Sequence, residues 1–372
     1  MDKSFTLLRE LAFRLAQRHD ALVIHDVVVV GAGIAGLSLA RALRRGGRTP
    51  LVLDRASGVG GRCATRRVEG QPVDHGLAVL HGRSTRFLDE LVGAPDAAAI
   101  ADWPRARAGT GVPCQPQSFD LQDARFAPAA GVSSFARHLA LGLDVRLESR
   151  VESLTLAELP GSHSARVWEV GLASGERLTS KIVALTMPAP SVLALLRRVD
   201  PPDPALAALL PLLELIRVLP CLTVIARYPE GTPLPRWEAS YPRESPVIHT
   251  ILHDSSKRAG TPRLVLVIQA RPRFSQAHLN GSPESWTRGL IEEGAAPHGE
   301  WVRAPDLVQS HRWRDARVAA GSELACPLVA GFDGGAVLGI AGDGLHAAGG
   351  VEGAYLSGIA LAARLMDSSP AR

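Results

Sequence analysis

The strongest constraint on this chain is a glycine-rich turn that directly follows a run of β-branched residues. The run Val27-Val-Val-Val30 is typical of a strand buried on both faces of a parallel sheet. Gly31, Gly33 and Gly36 follow it with the spacing G-x-G-x-x-G. In such a turn the first glycine permits the tight bend, the second leaves room for a pyrophosphate, and the third lets the next helix pack closely. The helix start that follows favours an anion.

A carboxylate at the end of the next apolar run supports the same interpretation. Asp54 follows Leu51-Val-Leu and lies 23 residues after Gly31, where an acid can accept hydrogen bonds from a ribose diol. Strand, turn, helix start and distal carboxylate occur in the expected order. The sequence therefore predicts a dinucleotide-binding Rossmann domain rather than an ordinary glycine turn.

Two further glycine-rich segments are candidates for contacts with the same ligand. Gly60-Gly61-Arg62 combines backbone N–H groups with a guanidinium, which favours phosphate. Near the end of the chain, Gly342-Asp343 is followed by Gly350 and a helical run of small residues. Asp343 can accept from a hydroxyl group, and the helix start can stabilise negative charge that develops on a bound redox cofactor.

Length, charge and cysteine content limit the class of protein. A chain of 372 residues suits two domains. The net charge is only +4 and the arginines are scattered, which favours an anionic small molecule over nucleic acid as the ligand. Cys63, Cys114, Cys221 and Cys326 lie far apart, which indicates free thiols, a cytoplasmic location and no metal site. No apolar window is long enough for an integral membrane span.

Composition along the chain indicates an inserted second domain. Residues 1–25 are expected to form a helical extension that packs on the protein or is loosely ordered, with a membrane-surface or partner helix as the alternative. Prolines and glycines interrupt residues 85–127. Leucine-rich helical stretches and apolar strands follow between residues 189 and 310, and they are Ser191 to Arg197, Ala205 to Leu213, Cys221 to Ala226, Val247 to Leu252, and Leu264 to Gln269.

We therefore predict an α/β protein with two domains. Residues 26–84, 128–188 and 311–372 are assigned to a Rossmann-type nucleotide-binding domain. Residues 85–127 and 189–310 are assigned to an inserted α+β substrate domain built on an antiparallel sheet.

These motifs resemble the flavoprotein amine oxidase superfamily and, within it, the renalase family. The superfamily resemblance rests on the first glycine turn, Asp54, Gly60-Gly61-Arg62, Gly342-Asp343 and Gly350-Val-Glu352-Gly353-Ala354. The renalase resemblance rests on Gly61-Arg62-x-x-Thr65, Ala127-Pro-x-x-Gly131-Val-Ser133-Ser134, Leu185-Thr186-Met187-Pro188-x-Pro190 and Ser310-His-Arg-Trp313-Arg314-x-x-Arg317-Val. It extends over about residues 26–366.

The resemblance implies noncovalent FAD in a GR2-like, p-hydroxybenzoate hydroxylase-like Rossmann domain. It also implies an oxidase that takes hydride from 2- or 6-dihydro isomers of NAD(P)H and yields NAD(P)+, while O2 reoxidises the flavin to hydrogen peroxide. Hydride acceptance belongs to the flavin, and the protein supplies orientation and electrostatics. Two alternatives stay open: an FAD-dependent amine oxidase or desaturase acting on a secondary metabolite or isoprenoid, and a non-enzymatic FAD-binding redox sensor.

The resemblance also implies the residues of the site. Those expected to hold FAD are Gly31, Gly33, Ile34, Ala35, Gly36, Asp54, Arg55, Gly61, Arg62, His75, Gly76, Val151, Gly342, Asp343, Gly350, Val351, Glu352 and Ala354. His75 and Trp313 are candidates for lining the active site, with a purely packed role as the alternative. An anionic dinucleotide would require arginines from the substrate domain, although most arginines lie at protein surfaces. The candidates are Arg217, Arg227, Arg243, Arg258, Arg271 and Arg273.

Overall fold

The protein is described by a computed structural model over residues 23–94, 100–111, 123–159, 161–162, 164–199, 203–258, 260 and 263–367. Its strands are β1 Ile24–Val30, β2 Pro50–Leu53, β3 Thr65–Val68, β4 Gln71–Asp74, β5 Leu80–Gly82, β6 Arg107–Ala108, β7 Ala124–Phe126, β8 Asp144–Arg146, β9 Val151–Glu158, β10 Arg166–Leu172, β11 Arg177–Leu185, β12 Val218–Arg227, β13 Ala239–Ser240, β14 Ile248–His253, β15 Val265–Ala270, β16 Leu307–Val318, β17 Leu328–Gly331 and β18 Val337–Ile340. Its helices are α1 Ile34–Arg45, α2 Thr85–Val92, α3 Ser133–Ala140, α4 Ala189–Leu196, α5 Pro204–Glu214, α6 Pro272–His278, α7 Pro283–His298 and α8 Gly350–Asp367.

An eight-stranded mixed sheet carries the glycine turns. Its main path runs β17-β18-β11-β1-β2-β8, and β9 and β10 extend it from the first half of β11. Strands β18, β11, β1, β2 and β8 are parallel, so their carboxyl ends meet at one edge. The edge carries the loops that follow β1, β2 and β18, which is where a doubly wound sheet binds its ligand.

Both faces of this sheet are covered, as the unbroken β-branched run predicted. Val27 and Val29 pack into a core with α1, α2, α3 and α8. Val28 and Val30 face the opposite way and pack with α4, α5 and β10. Because successive side chains of a strand point to opposite faces, a strand buried on both sides must be apolar throughout.

The second sheet has six strands in the order β16-β12-β15-β14-β13-β6, and all its pairs are antiparallel except β13 with β6. The predicted α/β architecture with an antiparallel second sheet is therefore confirmed. Strand β16 lies at the edge, and its register with β12 is irregular. Leu219 pairs with Arg317 whereas Cys221 pairs with Trp313, so β16 has two extra residues in this interval. Such a bulge changes the direction of side chains, and bulges are common beside active sites.

The structure moves several predicted domain boundaries. Strand β1 begins at Ile24, so residues 24 and 25 belong to the first sheet and not to the extension, whose residues 1–22 lie outside the described ranges. Helix α2 and helices α4 and α5 pack on the first sheet, although they were assigned to the substrate domain. Strand β16 lies wholly in the second sheet, so the predicted boundary after residue 310 divides one strand. The division into two domains remains a proposal with these revised limits.

Candidate active site

A cavity of about 920 Å³ lies between the carboxyl edge of the first sheet and strand β16 of the second. This volume is near the upper end of the range for small-molecule sites. The loops after β1, β2 and β18 form one wall, and residues 311–318 of β16 contribute to the opposite wall. The position agrees with the rule that ligands bind outside the carboxyl ends of parallel strands.

The first glycine turn provides space for a ligand at the start of α1. Gly31 has φ +113°, and a Cβ there would lie 2.8 Å from Thr186 Oγ1. A Cβ on Gly33 would meet no protein atom within 4 Å, and this residue lines the cavity. Ile34 and Ala35, the first residues of α1, also line it, and a helix start leaves backbone N–H groups without intrahelical partners. The turn therefore fits a pyrophosphate.

Gly36 has a packing role instead. A Cβ on this residue would collide with the carbonyl oxygen of Gly31 and lie 2.6 Å from Thr186 Oγ1. Gly36 is not among the cavity-lining residues, and its direct contact with the cofactor stays a prediction. The close helix packing that the motif predicted is what the structure has here.

Asp54 connects the turn after β1 to the loop after β2. Its Oδ2 accepts from Ala32 N at 2.6 Å, and its Oδ1 accepts from Ala56 N at 2.8 Å. The side chain also lines the cavity. The carboxylate thus fixes two backbone segments, and each oxygen has a further lone pair with which to accept a ribose hydroxyl.

Arg62 and Asp343 join the two glycine-rich segments that follow β2 and β18. The guanidinium donates from Nη1 and Nη2 to the two carboxylate oxygens, each at 2.7 Å. Burial would lower the pKa of Arg62, but the attached carboxylate outweighs it and raises that pKa. Both residues line the cavity, so a charged, bidentate pair forms part of its wall.

The other predicted cofactor residues all line this cavity, with one exception. Glu352 directs its Oε1 to the backbone N–H groups of Arg83 at 3.1 Å and Ser84 at 2.6 Å. These groups precede helix α2, so Glu352 fixes a helix start and is not part of the cavity wall. The contact of Glu352 with FAD stays a prediction, and the role that the structure gives this carboxylate is at the start of α2.

Three aromatic rings form the wall at the second sheet. The ring centroids of His75 and Trp313 are 5.3 Å apart, and the centroid of His311 is 5.0 Å from His75 and 4.1 Å from Trp313. Trp313 Nε1 donates to the carbonyl oxygen of His75 at 3.0 Å. The structure brings the two predicted residues together at the cavity, and it adds His311, which belongs to the same sequence motif as Trp313.

Both histidines in this wall are held neutral. Burial, with Arg66 and His311 nearby, lowers the pKa of His75 to about 3. Burial and Arg66 also lower the pKa of His311. Arg66 Nη2 lies 3.4 Å from His311 Nδ1. Near pH 7 this wall therefore presents uncharged imidazoles.

The segment after β4 is packed too closely for a side chain at Gly76. A Cβ there would collide with the carbonyl oxygen of Arg62 and lie 3.1 Å from Cζ2 of Trp313. Gln269 Nε2 donates to the carbonyl oxygen of Gly76 at 2.8 Å. Gln269 was not predicted from the sequence, because its role depends on how the second sheet packs against this segment.

A buried group of four charges anchors the same segment. Lys257 Nζ donates to Asp74 Oδ2 at 3.0 Å and to Asp254 Oδ1 at 2.7 Å. Arg258 donates to the same carboxylates at 3.1 and 2.7 Å. Arg258, a predicted substrate contact, belongs to this group instead.

The predicted substrate arginines do not line the cavity. Arg227 pairs with Asp306 at 2.8 Å and with Glu69, and Arg271 donates to backbone carbonyl groups. Among the described residues, the arginines in the cavity wall are Arg55, Arg62, Arg150, Arg198, Arg312, Arg314 and Arg317. The substrate arginines were expected from residues 85–127 and 189–310, whereas the three that β16 contributes to the wall all follow residue 310.

The chain matches the models of two protein families. Residues 29–91 match the NAD(P)-binding Rossmann-like domain, and residues 87–366 match the flavin containing amine oxidoreductase family. The second match covers most of the chain, and the chain belongs to this family. The family comprises FAD-dependent oxidoreductases, which implies FAD as the cofactor. The space at Gly33 and the helix starts of α1 and α8 at the cavity fit that group.

Sequence similarity to individual curated proteins is short. The putative flavin-containing monoamine oxidase AofH of Mycobacterium tuberculosis is 57% identical over 51 residues, which are 14% of this chain and 11% of that protein. The putrescine oxidase of Kocuria rosea is 37% identical over 93 residues, 25% of this chain and 19% of that protein. The matched part of this chain thus spans less than a fifth of either relative.

Solved structures show the fold over nearly the whole chain. A wild-type putrescine oxidase bound to putrescine has a TM-score of 0.61 at 16% identity and covers 93% of this chain and 100% of its own. A putative protoporphyrinogen oxidase from Exiguobacterium has a TM-score of 0.67 at 14% identity, with coverage of 94% and 100%. No helix among the described residues is long and apolar enough to cross a membrane.

Proposed function

We propose that this chain is an FAD-dependent oxidase of the renalase type. It takes hydride from a 2- or 6-dihydro isomer of NAD(P)H and releases NAD(P)+, with O2 as the electron acceptor that yields hydrogen peroxide. The observation that carries the proposal is a cavity wall that combines the arginines and His311 of β16 with His75, which follows β4, and that lies across the cavity from the predicted FAD-binding turns. A cytoplasmic location belongs to the same proposal, because Cys63, Cys221 and Cys326 are free thiols.

Within the described ranges, seven arginines and five carboxylate residues line the cavity, and this excess of positive charge favours an anionic substrate. Strand β16 contributes Arg312, Arg314 and Arg317 to this wall, and Arg317 is only 2% exposed. A guanidinium presents several N–H donors in a plane and matches phosphate oxygens, which a dinucleotide carries. A protonated amine would be repelled by the same groups.

The uncharged histidines agree with hydride transfer from a dihydropyridine. FAD, when bound, accepts the hydride, and the substrate ring becomes aromatic as it loses it. No side chain has to remove a proton in that step. His75 and His311 bear lowered pKa values and sit in the wall as neutral rings. Their role is to shape the cavity and to orient the substrate.

Amine oxidation is the second candidate, and a specific residue favours it. Asp315 lies in the same strand, lines the cavity and is half-buried, so its carboxylate could hold an ammonium group. Family membership supports amine oxidation as much as it supports the renalase-type reaction, and the similarity to AofH and to putrescine oxidase agrees with it.

An anaerobic titration of the FAD-loaded protein separates the candidates. We expect 2- or 6-dihydro-NAD in less than stoichiometric amount to bleach the visible flavin absorbance at once, and ordinary NADH, putrescine and cyclohexylamine to leave it unchanged. Bleaching by an amine without bleaching by the dinucleotide isomers would refute the proposal.

Two variants in strand β16 provide a second test that distinguishes the two candidate functions. Arg317→Met should raise KM for the isomers more than Asp315→Asn does, because the guanidinium is assigned to the anionic substrate. The amine candidate predicts the reverse order with an amine substrate.

A further inference from the structure

His311 is held in one orientation by a side chain of the β3–β4 hairpin. Its Nδ1 lies 3.4 Å from Nη2 of Arg66, a residue of β3. Arg66 is itself fixed, because its Nη1 donates to Gln309 Oε1 at 3.1 Å. The imidazole also packs against Trp313, with the ring centroids 4.1 Å apart and the ring planes at 54°. The imidazole therefore has little rotational freedom.

The partner of Nδ1 determines where the imidazole proton lies. A guanidinium has only N–H donors, so the nitrogen that it contacts must accept. A neutral imidazole with an accepting Nδ1 carries its proton on Nε2. The ring stays neutral because burial and the charge of Arg66 lower its pKa. His311 is one of the cavity-lining residues, and with Nδ1 engaged by Arg66 its Nε2–H is the remaining polar group of the ring.

We infer that His311, fixed by Arg66 as the Nε2–H tautomer, donates a hydrogen bond to a carbonyl oxygen of the substrate, and that Arg66 is the positioning residue. This inference rests on the proposed function, in which that oxygen belongs to the nicotinamide carboxamide. An uncharged donor suits a neutral carbonyl group. A protonated amine has no lone pair to accept from it.

The tautomer can be measured without turnover. In the FAD-loaded protein with 15N-labelled histidine, the nitrogen shifts of His311 are assigned by their disappearance in His311→Gln. We expect a protonated Nε2 and an unprotonated Nδ1 in the wild type, and a mixture of tautomers in Arg66→Met. Arg67→Gln, a change at the next residue of the same hairpin, should leave the signals as in the wild type. A wild-type ring protonated on Nδ1 would overturn the inference.

Substrate kinetics test the hydrogen bond itself. His311→Phe and Arg66→Met should each raise KM for the dihydronicotinamide isomer about two- to tenfold, the range that one neutral hydrogen bond gives, with a smaller effect on kcat. Their double variant should be no worse than either single variant, because both remove the same bond. His311→Gln places an amide N–H close to the position of Nε2 and should recover most of the loss.

The two proposals fail in different ways. If no dihydronicotinamide isomer reduces the wild-type flavin, the proposed function and the carboxamide assignment are both wrong, and the tautomer measurement still judges the role of Arg66. If the isomer reduces the flavin but His311→Phe leaves its KM unchanged, only the hydrogen bond from His311 is refuted.

Discussion

Replacing Lys257 with methionine should destabilise the protein strongly, because this ammonium balances two buried carboxylates. Lys257 is fully buried, and its Nζ donates to Asp74, Asp254 and the carbonyl oxygen of Ala78 at 3.0, 2.7 and 2.6 Å. It also lies 4.6 Å from the ring centroid of Trp103. Methionine keeps the apolar stem but leaves two carboxylates to share one guanidinium.

The expected loss is about 3–5 kcal/mol of unfolding free energy, the cost of removing one partner from a buried ion pair. Burial tends to raise the pKa of Asp74, but Lys257 and Arg258 outweigh it and hold that pKa below its ordinary value. The stabilisation by Asp74 is therefore present above its unfolded-state pKa and is lost as pH falls through the folded-state pKa. The difference between wild type and Lys257→Met should consequently shrink in acid.

Urea unfolding of the FAD-loaded and FAD-free protein measures this effect. The double variant Lys257→Met/Asp254→Asn restores the charge balance around Asp74 and Arg258, so it should be more stable than the single variant. Arg227→Met, at the end of β12, is the matched control. It also removes a cation with two carboxylate partners, but those partners reach solvent, so the loss should be smaller.

Two outcomes would refute this reasoning. One is a loss of less than about 1 kcal/mol of unfolding free energy in Lys257→Met. The ion pairs of Lys257 would then be as weak as exposed ion pairs. The other is a double variant no more stable than the single one, which would mean that charge imbalance is not the cause.

Three further predictions concern the site. Gly33→Val should abolish FAD retention while the FAD-free protein keeps its stability, because only a ligand occupies the space that the side chain would enter; near-stoichiometric FAD in the purified variant would contradict this. Glu352→Gln should cost about 1 kcal/mol of stability, as expected for weakening charge-assisted bonds to the N–H groups of Arg83 and Ser84, and FAD content measured by absorbance should stay normal. The pKa of His75 is lowered to about 3, so between about pH 3 and pH 6.5 this side chain takes up a proton when the protein unfolds. As the pH is lowered through this interval, the wild type should therefore lose stability more steeply than His75→Gln, as followed by thermal unfolding.

The cofactor site could be predicted largely because its signals are local. Gly31, Gly33 and Asp54 belong to one strand-turn-helix-strand unit, and the chemistry of each follows from its neighbours in the chain. The motif around Asp343 could be placed for the same reason. The bonds of Glu352 to the start of α2 could not be predicted, because the motif specifies a residue type while these partners come from a loop about 270 residues earlier.

The residues on the substrate side of the cavity could not be predicted from local sequence, because their contacts join distant parts of the chain. Asp74 and Lys257 are separated by 183 residues, and nothing near either position indicates their pairing. Gln269 has its role only because β15 packs against the segment at Gly76. Arginines were expected from the predicted substrate domain on the basis of substrate charge, but those that line the cavity from the second sheet are set by the register and the bulge of β16.

The bulge in β16 also bears on how such a protein can diversify. An edge strand has one neighbour in its sheet, so residues between Trp313 and Arg317 can be exchanged, inserted or deleted at the expense of few ladder bonds. The turns that fit FAD belong to the other sheet and are untouched by such changes. Substrate range and cofactor retention are therefore separable traits in this fold, and selection acting on a few codons of one strand could change the first without loss of the second.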